Sequence, residues 1–269
     1  MAGRTVSLTI DSIASGGDGV GRVDGLVVFV PRTAPGDVVT ASVSGNGHFV
    51  RGTLRALVQL SPVRTDPQCA HYICERCGGC QLQHITYESQ LAAKQRMIAD
   101  AMQRIGRRRI ESPVIIPSET EWRYRTTLTL ALRQRGDGWI AGLHTYDDPA
   151  KVFQLHDCPI THTAVISMWS EVMAAAEHFP QEPDLCGTVR LTDRGLTFTL
   201  LGGRRWHNHE QFFEHVPTLS ALYWKPVDRP RAVLGDRREV LHRTPGASFA
   251  QVNPVVASAL RSYVLKRVL

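Results

Sequence analysis

The sequence predicts an α+β protein: a small N-terminal β-barrel, then a central α+β domain on an antiparallel sheet. Three observations carry this. Apolar residues alternate with polar ones in short runs between glycine turns through residue 60. Two longer stretches, 87–105 and 161–179, repeat their apolar residues at the helical period. Two glycine-centred turns, at 136–138 and 193–195, each sit between alternating runs and read as hairpins.

Taken in order, Val6, Leu8 and Ile10 alternate with Thr5, Ser7 and Thr9 as a half-buried strand. The run Gly16-Gly17-Asp18-Gly19-Val20-Gly21 comes next. It lacks the glycine spacing and the following helix of a dinucleotide fingerprint, so it reads as a turn or bulge. Val27-Val28-Phe29-Val30, a Pro35-Gly36-Asp37 turn, Val39/Ala41/Val43 and a run over 53–58 complete about five strands, enough for a small closed barrel. Arg22, Arg32, Arg51 and Arg55 are candidates to meet a polyanion on its surface.

The stretch 87–105 reads as an amphipathic helix. Leu91, Ile98, Met102 and Ile105 form an apolar stripe expected to pack in a core, and Gly106 stops it. A strand is expected from Trp122 through Leu132, a partner from Trp139 to His144, and a third around 152–155. The 161–179 segment is a second helix with Val165, Met168, Trp169, Val172 and Met173 on its apolar side. A hairpin turns at Asp193-Arg194-Gly195, and 207–222 is expected to be helical with a break at Pro217. His207 and His209 lie two apart, so they do not share a helix face as metal ligands do. Short strands at 232–234 and 239–242 precede a final helix from Val255.

The chain has 269 residues, 43% of them hydrophobic, and a formal charge of +6. That is enough for two domains, and no apolar run approaches the length of a bilayer span. The basic excess suits a polyanionic partner. It is concentrated: between residues 84 and 135 there are ten Lys or Arg against five Asp or Glu, including Arg107, Arg108 and Arg109.

Four of the six cysteines, Cys69, Cys74, Cys77 and Cys80, fall within twelve residues; Cys158 lies far downstream before Pro-Ile, and Cys186 stands alone as a core residue. Thiols this dense hold a metal or a disulfide framework. Disulfides need an oxidising compartment, and Met-Ala-Gly-Arg-Thr runs directly into a strand with no signal peptide. Glycines 78 and 79 let the backbone wrap so that two sulfurs can face one centre. Zinc and iron–sulfur clusters both use such turns, and spacing does not choose between them.

Cys-Gly-Gly-Cys-Gln-Leu-Gln-His at 77–84, with Cys69-Ala-His-Tyr upstream and Cys158-Pro-Ile downstream, resembles the iron–sulfur RNA uracil-5-methyltransferases. The Gly-Val-Gly-Arg turn, the Val-Phe-Val-Pro segment and Pro-Gly-Asp are similar to the TRAM barrel of that family, and Phe249-Ala-Gln251-Val-Asn253 to the entrance of its methyltransferase domain. The resemblance implies three regions: an OB-like TRAM barrel over 1–61, a cluster-bearing domain over 62–244, and the start of a methyltransferase domain over 245–269. It implies a [4Fe–4S] cluster on Cys69, Cys77, Cys80 and Cys158, although seven residues separate Cys69 from Cys77 where the family usually has five. It implies that Gln251 binds S-adenosylmethionine, that Phe249 lines the pocket for a flipped uracil, and that Arg125 contacts RNA. The nucleophilic cysteine and Rossmann-like domain of the family have no counterpart in these residues. The expectation is the N-terminal part of a cytoplasmic, monomeric enzyme acting on RNA, with 23S ribosomal RNA favoured over tRNA and no membrane. The alternative is a non-enzymatic RNA-binding module with a structural iron–sulfur or zinc site.

Overall fold

A computed structural model describes residues 4–44, 49–227, 232–236 and 250–268. The expected strand over 239–242 and Phe249 lie outside them. The chain divides into two compact units: 1–74 with 79–117, and 75–78 with 118–269.

The first unit opens with five strands: β1 (Arg4–Ile13), β2 (Gly19–Val23), β3 (Leu26–Val30), β4 (Val38–Ser44) and β5 (Phe49–Gln59). They close into a barrel in the order β1-β2-β3-β5-β4. All pairs are antiparallel except β3 with β5, which closes the circle in parallel. Alternation drives this. Val6, Leu8 and Ile10 of β1 point inward against Val28, Val30, Val39, Ala41 and Val50, each buried, at about 1.5–3 kcal/mol for each large aliphatic side chain removed from water. The expected glycine turn lies between β1 and β2. At Gly21 a Cβ would sit 2.3 Å from the Thr9 carbonyl oxygen, so only glycine lets these two strands approach.

The rest of the unit holds a one-turn helix α1 (Ala70–Ile73) and an 18-residue helix α2 (Tyr87–Arg104). Thr86 caps α2, its side chain accepting from the Ser89 N–H. The α2 stripe differs from expectation: no residue of α2 is buried, and Ile98 and Ile105 are largely exposed. The helical period holds, but the stripe is not packed in a core.

The second unit is a seven-stranded sheet in the order β12-β11-β10-β9-β6-β7-β8. Its strands are β6 (Thr127–Arg135), β7 (Gly138–His144), β8 (Val152–Gln154), β9 (Asp184–Thr192), β10 (Gly195–Leu201), β11 (Leu219–Lys225) and β12 (Ala232–Asp236). Helix α3 (Thr163–Ala174) packs Val165, Met168, Trp169 and Val172 against Leu128, Leu130 and Leu132 of β6. Phe198, Phe179 and Phe212 stack beside Trp169 to complete the core.

Three expectations are corrected here. The strand expected from Trp122 begins only at Thr127; residues 123–125 instead bond to the backbone at 159–162. The region 207–222 is not one broken helix, because α4 (His209–His215) gives way to β11. The sheet is not wholly antiparallel, because β10 and β11 pair in parallel. The last two corrections are one fact: α4 is the crossover that a parallel pair requires. A last helix, α5 (Pro254–Val268), has no buried residue.

Candidate RNA-modifying site

The cysteines are distributed over both units. In the first, Cys69 caps the start of α1 and is buried, its N–H donating to the Gln83 side chain over 3.3 Å. Cys74 ends α1 and is exposed, while Cys80 is half-buried. Beneath them lies a polar lattice that the sequence did not announce. His84 is 4% exposed. Its Nδ1 stands 2.7 Å from the Tyr72 hydroxyl and its Nε2 3.1 Å from the Thr33 carbonyl oxygen. Burial, with Arg64 and Arg32 nearby, lowers its pKa to about 4 against the opposing pull of the Thr33 carbonyl and Asp37. The ring is therefore neutral at pH 7, with Nε2–H donating to Thr33 and Nδ1 accepting from Tyr72. The Arg32 guanidinium covers the Tyr72 ring at 3.7 Å and donates to the Tyr72 carbonyl. Asp37, fully buried, accepts from the N–H groups of Ala34 and Ser61 and from Arg64. These bonds fasten the cysteine segment to the barrel.

In the second unit, residues 75–78 run beside the end of β7. Cys77 bridges to Thr145, the Gly78 N–H donates to the His144 carbonyl, and the Tyr146 N–H to that of Arg76. A Cβ on Gly78 would lie 3.1 Å from the His144 oxygen, so the glycine permits this close approach. Cys77 and Cys158 are both buried. The turn carrying Cys158 is held by a residue that sequence reading missed. Arg123 grips both oxygens of Asp157 at 2.8 and 2.7 Å and also donates to the carbonyls of Cys158 and Thr161. Its pKa is raised by the bond to Asp157, against some burial. Nothing local marks a pair 34 residues apart. Arg123→Gln keeps one donor and loses the fork, so this unit should lose about 1 kcal/mol, as read by urea unfolding.

None of the six cysteines is in a disulfide. Among the described residues, no group of three or more His, Cys, Asp or Glu side chains is gathered as a set for a metal ion.

Arg125 and Gln251, both singled out in the sequence, flank a direct backbone link. The Thr126 N–H and hydroxyl both donate to the Val252 carbonyl, over 2.9 and 3.3 Å. Asn253 fixes the start of α5: its Nδ2 donates to the Ser118 hydroxyl, and its Oδ1 accepts from the Val256 N–H as a cap. Arg125 turns its Nε to the Thr127 carbonyl, and Gln251 is exposed. The segment 251–253 is thus moored to the start of β6.

Residues 1–53 match the model of the TRAM domain. The barrel fits it. The chain is also similar to RNA methyltransferases. An uncharacterized RNA methyltransferase of Listeria innocua is 37% identical over 123 residues, which cover 45% of this chain and 27% of the relative. One from Protochlamydia amoebophila is 32% identical over 179 residues, 65% of this chain and 40% of the relative. The 23S rRNA (uracil(1939)-C(5))-methyltransferase RlmD of Dichelobacter nodosus is 26% identical over 96% of this chain and 62% of its own length. The chain thus spans less than two thirds of each of these relatives. No helix among the described residues is long and apolar enough to cross a membrane.

Proposed function

We propose that this chain is part of an RNA (uracil-C5)-methyltransferase acting on 23S ribosomal RNA with S-adenosylmethionine as methyl donor. One observation carries the reading: similarity to a 23S rRNA uracil-C5 methyltransferase extends over 96% of the chain. The TRAM barrel supports RNA as the partner. The reading makes the protein a cytoplasmic monomer, and six cysteines with no disulfide among them suit a reducing compartment.

Each residue has a defined task. Arg125 holds an RNA phosphate, which a planar guanidinium can do with two parallel bonds. Gln251, exposed beside the moored 251–253 segment, uses its amide to bind S-adenosylmethionine. Phe249 lines the pocket of the extruded uracil; reaching C5 of a stacked base requires taking it out of the helix. S-Adenosylmethionine supplies the methyl group as an electrophilic sulfonium. The uracil needs a thiolate added at C6 before its C5 can attack that methyl, and no cysteine of this chain is assigned that role.

Cys69, Cys77, Cys80 and Cys158 would hold a [4Fe–4S] cluster. The donors fit in kind: none is in a disulfide, and three of the four are buried, as soft sulfur ligands to iron should be. Cys74, exposed at the end of α1, is the less suitable partner. The cluster would be structural, since four cysteine ligands leave iron no open position.

A protein containing this chain, purified without oxygen, should be brown and carry iron and sulfide; a colourless, zinc-loaded protein overturns the cluster. Incubated with S-adenosylmethionine and 23S rRNA, it should yield 5-methyluridine in the digested nucleosides. Methylation of another atom overturns the uracil-C5 assignment. RNA binding without any transfer supports the non-enzymatic alternative.

A further inference from the structure

Helix α2 leaves a groove of about 350 Å³ within the first unit, between itself and the outer face of β2 and β3. Val20, Arg22 and Phe29 line it from the barrel, and Met97, Ala101 and Arg104 from the helix. Strand register extends the wall. Across the outer face, Phe29 lies opposite Val20 of β2 and Arg51 of β5, while Val27 lies opposite Arg22 and Phe49. Phe29 and Phe49 meet edge to face with centroids 6.2 Å apart, and Phe49 is 69% exposed. A large aromatic side chain that exposed on a strand contributes little to the barrel core.

We infer that this groove and the neighbouring face take an unstacked segment of single-stranded RNA, one nucleotide entering the groove against Phe29 and the next base stacking on Phe49. The inference rests on the RNA-modifying reading above and deepens it. The cavity is at the small end of ligand sites, with room for one nucleotide and none for a duplex. Aromatic faces accept any base, and cations along them track the backbone. The cations are in place: Arg22, Arg51 and Arg104 have side chains 59%, 82% and 74% exposed. Each has only a long or exposed pair, to Asp11 at 3.2 Å, Asp18 at 3.7 Å and Asp100 at 4.0 Å. Such pairs are weak, so a phosphate can displace the carboxylate. An apolar small molecule has no use for arginines that line the groove from both the barrel and the helix.

The test is fluorescence anisotropy of the full chain with a labelled short oligouridylate, and with an RNA duplex of the same length as competitor. Phe29→Ala and Phe49→Ala should each weaken binding at least about fivefold, the low end for loss of one stacked aromatic. Ala101→Trp, which fills the groove without changing charge, should do as much. Arg104→Gln should reduce the slope of log affinity against log salt by about 0.7. Phe49 and Ala101 are exposed, so both variants should fold, as circular dichroism will show. If the wild type binds and these two variants bind equally well, the groove is not the path, and the RNA-modifying reading stands. A duplex that competes as well as the single strand also overturns the inference. If the wild type binds neither RNA, RNA gripping by this unit falls, and the groove assignment with it.

Discussion

Asp37→Ala is expected to destabilise the first unit by about 3–5 kcal/mol, the range for removing one partner of a buried ion pair. Asp37 is fully buried, and Arg64 stands 2.7 Å away with its side chain 17% exposed. The alanine variant strands the Arg64 guanidinium together with the N–H groups of Ala34 and Ser61. Burial alone would raise the Asp37 pKa. The bonds from Arg64 and the two backbone amides outweigh it, and the net shift is downward. Its stabilisation is therefore present above the ordinary carboxylate pKa and is lost as pH falls below it. Urea unfolding at pH 7 measures the cost. A loss under about 1 kcal/mol would mean that water already satisfies these donors.

The first unit should also weaken on mild acidification. His84 has a pKa of about 4 in the fold against 6.5 free. Protonation thus favours the unfolded chain: the stabilisation is complete above pH 6.5 and drains away as pH falls toward 4. A difference of that size is worth about 3 kcal/mol. The physical cause is first the burial of the ring, which disfavours its charged form, and then the neighbouring Arg64 and Arg32 guanidinium groups. His84→Gln should be less stable at pH 7 and should lose less stability than the wild type between pH 6.5 and 4. If its acid slope equals that of the wild type, another group is responsible.

The barrel was legible because period-2 alternation and glycine turns report local geometry directly. Helix α2 was legible as a helix but its surroundings were not, since periodicity shows that one face is apolar and not what covers it; the groove is walled by Met97, Ala101 and Arg104 and not by Leu91, Ile98 or Met102. The apolar run 219–225 is short, and such a run reads equally as strand or buried helix; pairing with β10 decides it. At the candidate site, the backbone link from Thr126 to Val252 joins residues 126 positions apart. Chemistry could nominate Arg125 and Gln251, but only tertiary structure joins their neighbours. Arg123, His84 and Asp37 were overlooked for the same reason: each acts through a partner distant in sequence.

Closure of the barrel has a bearing on how this protein behaves when crowded. Because β3 meets β5, every strand of the barrel has two neighbours, and the barrel has no strand left as a whole open edge to recruit an extended segment from another molecule. The barrel can therefore expose Phe49 on its outer face with little danger of templating aggregation through that strand.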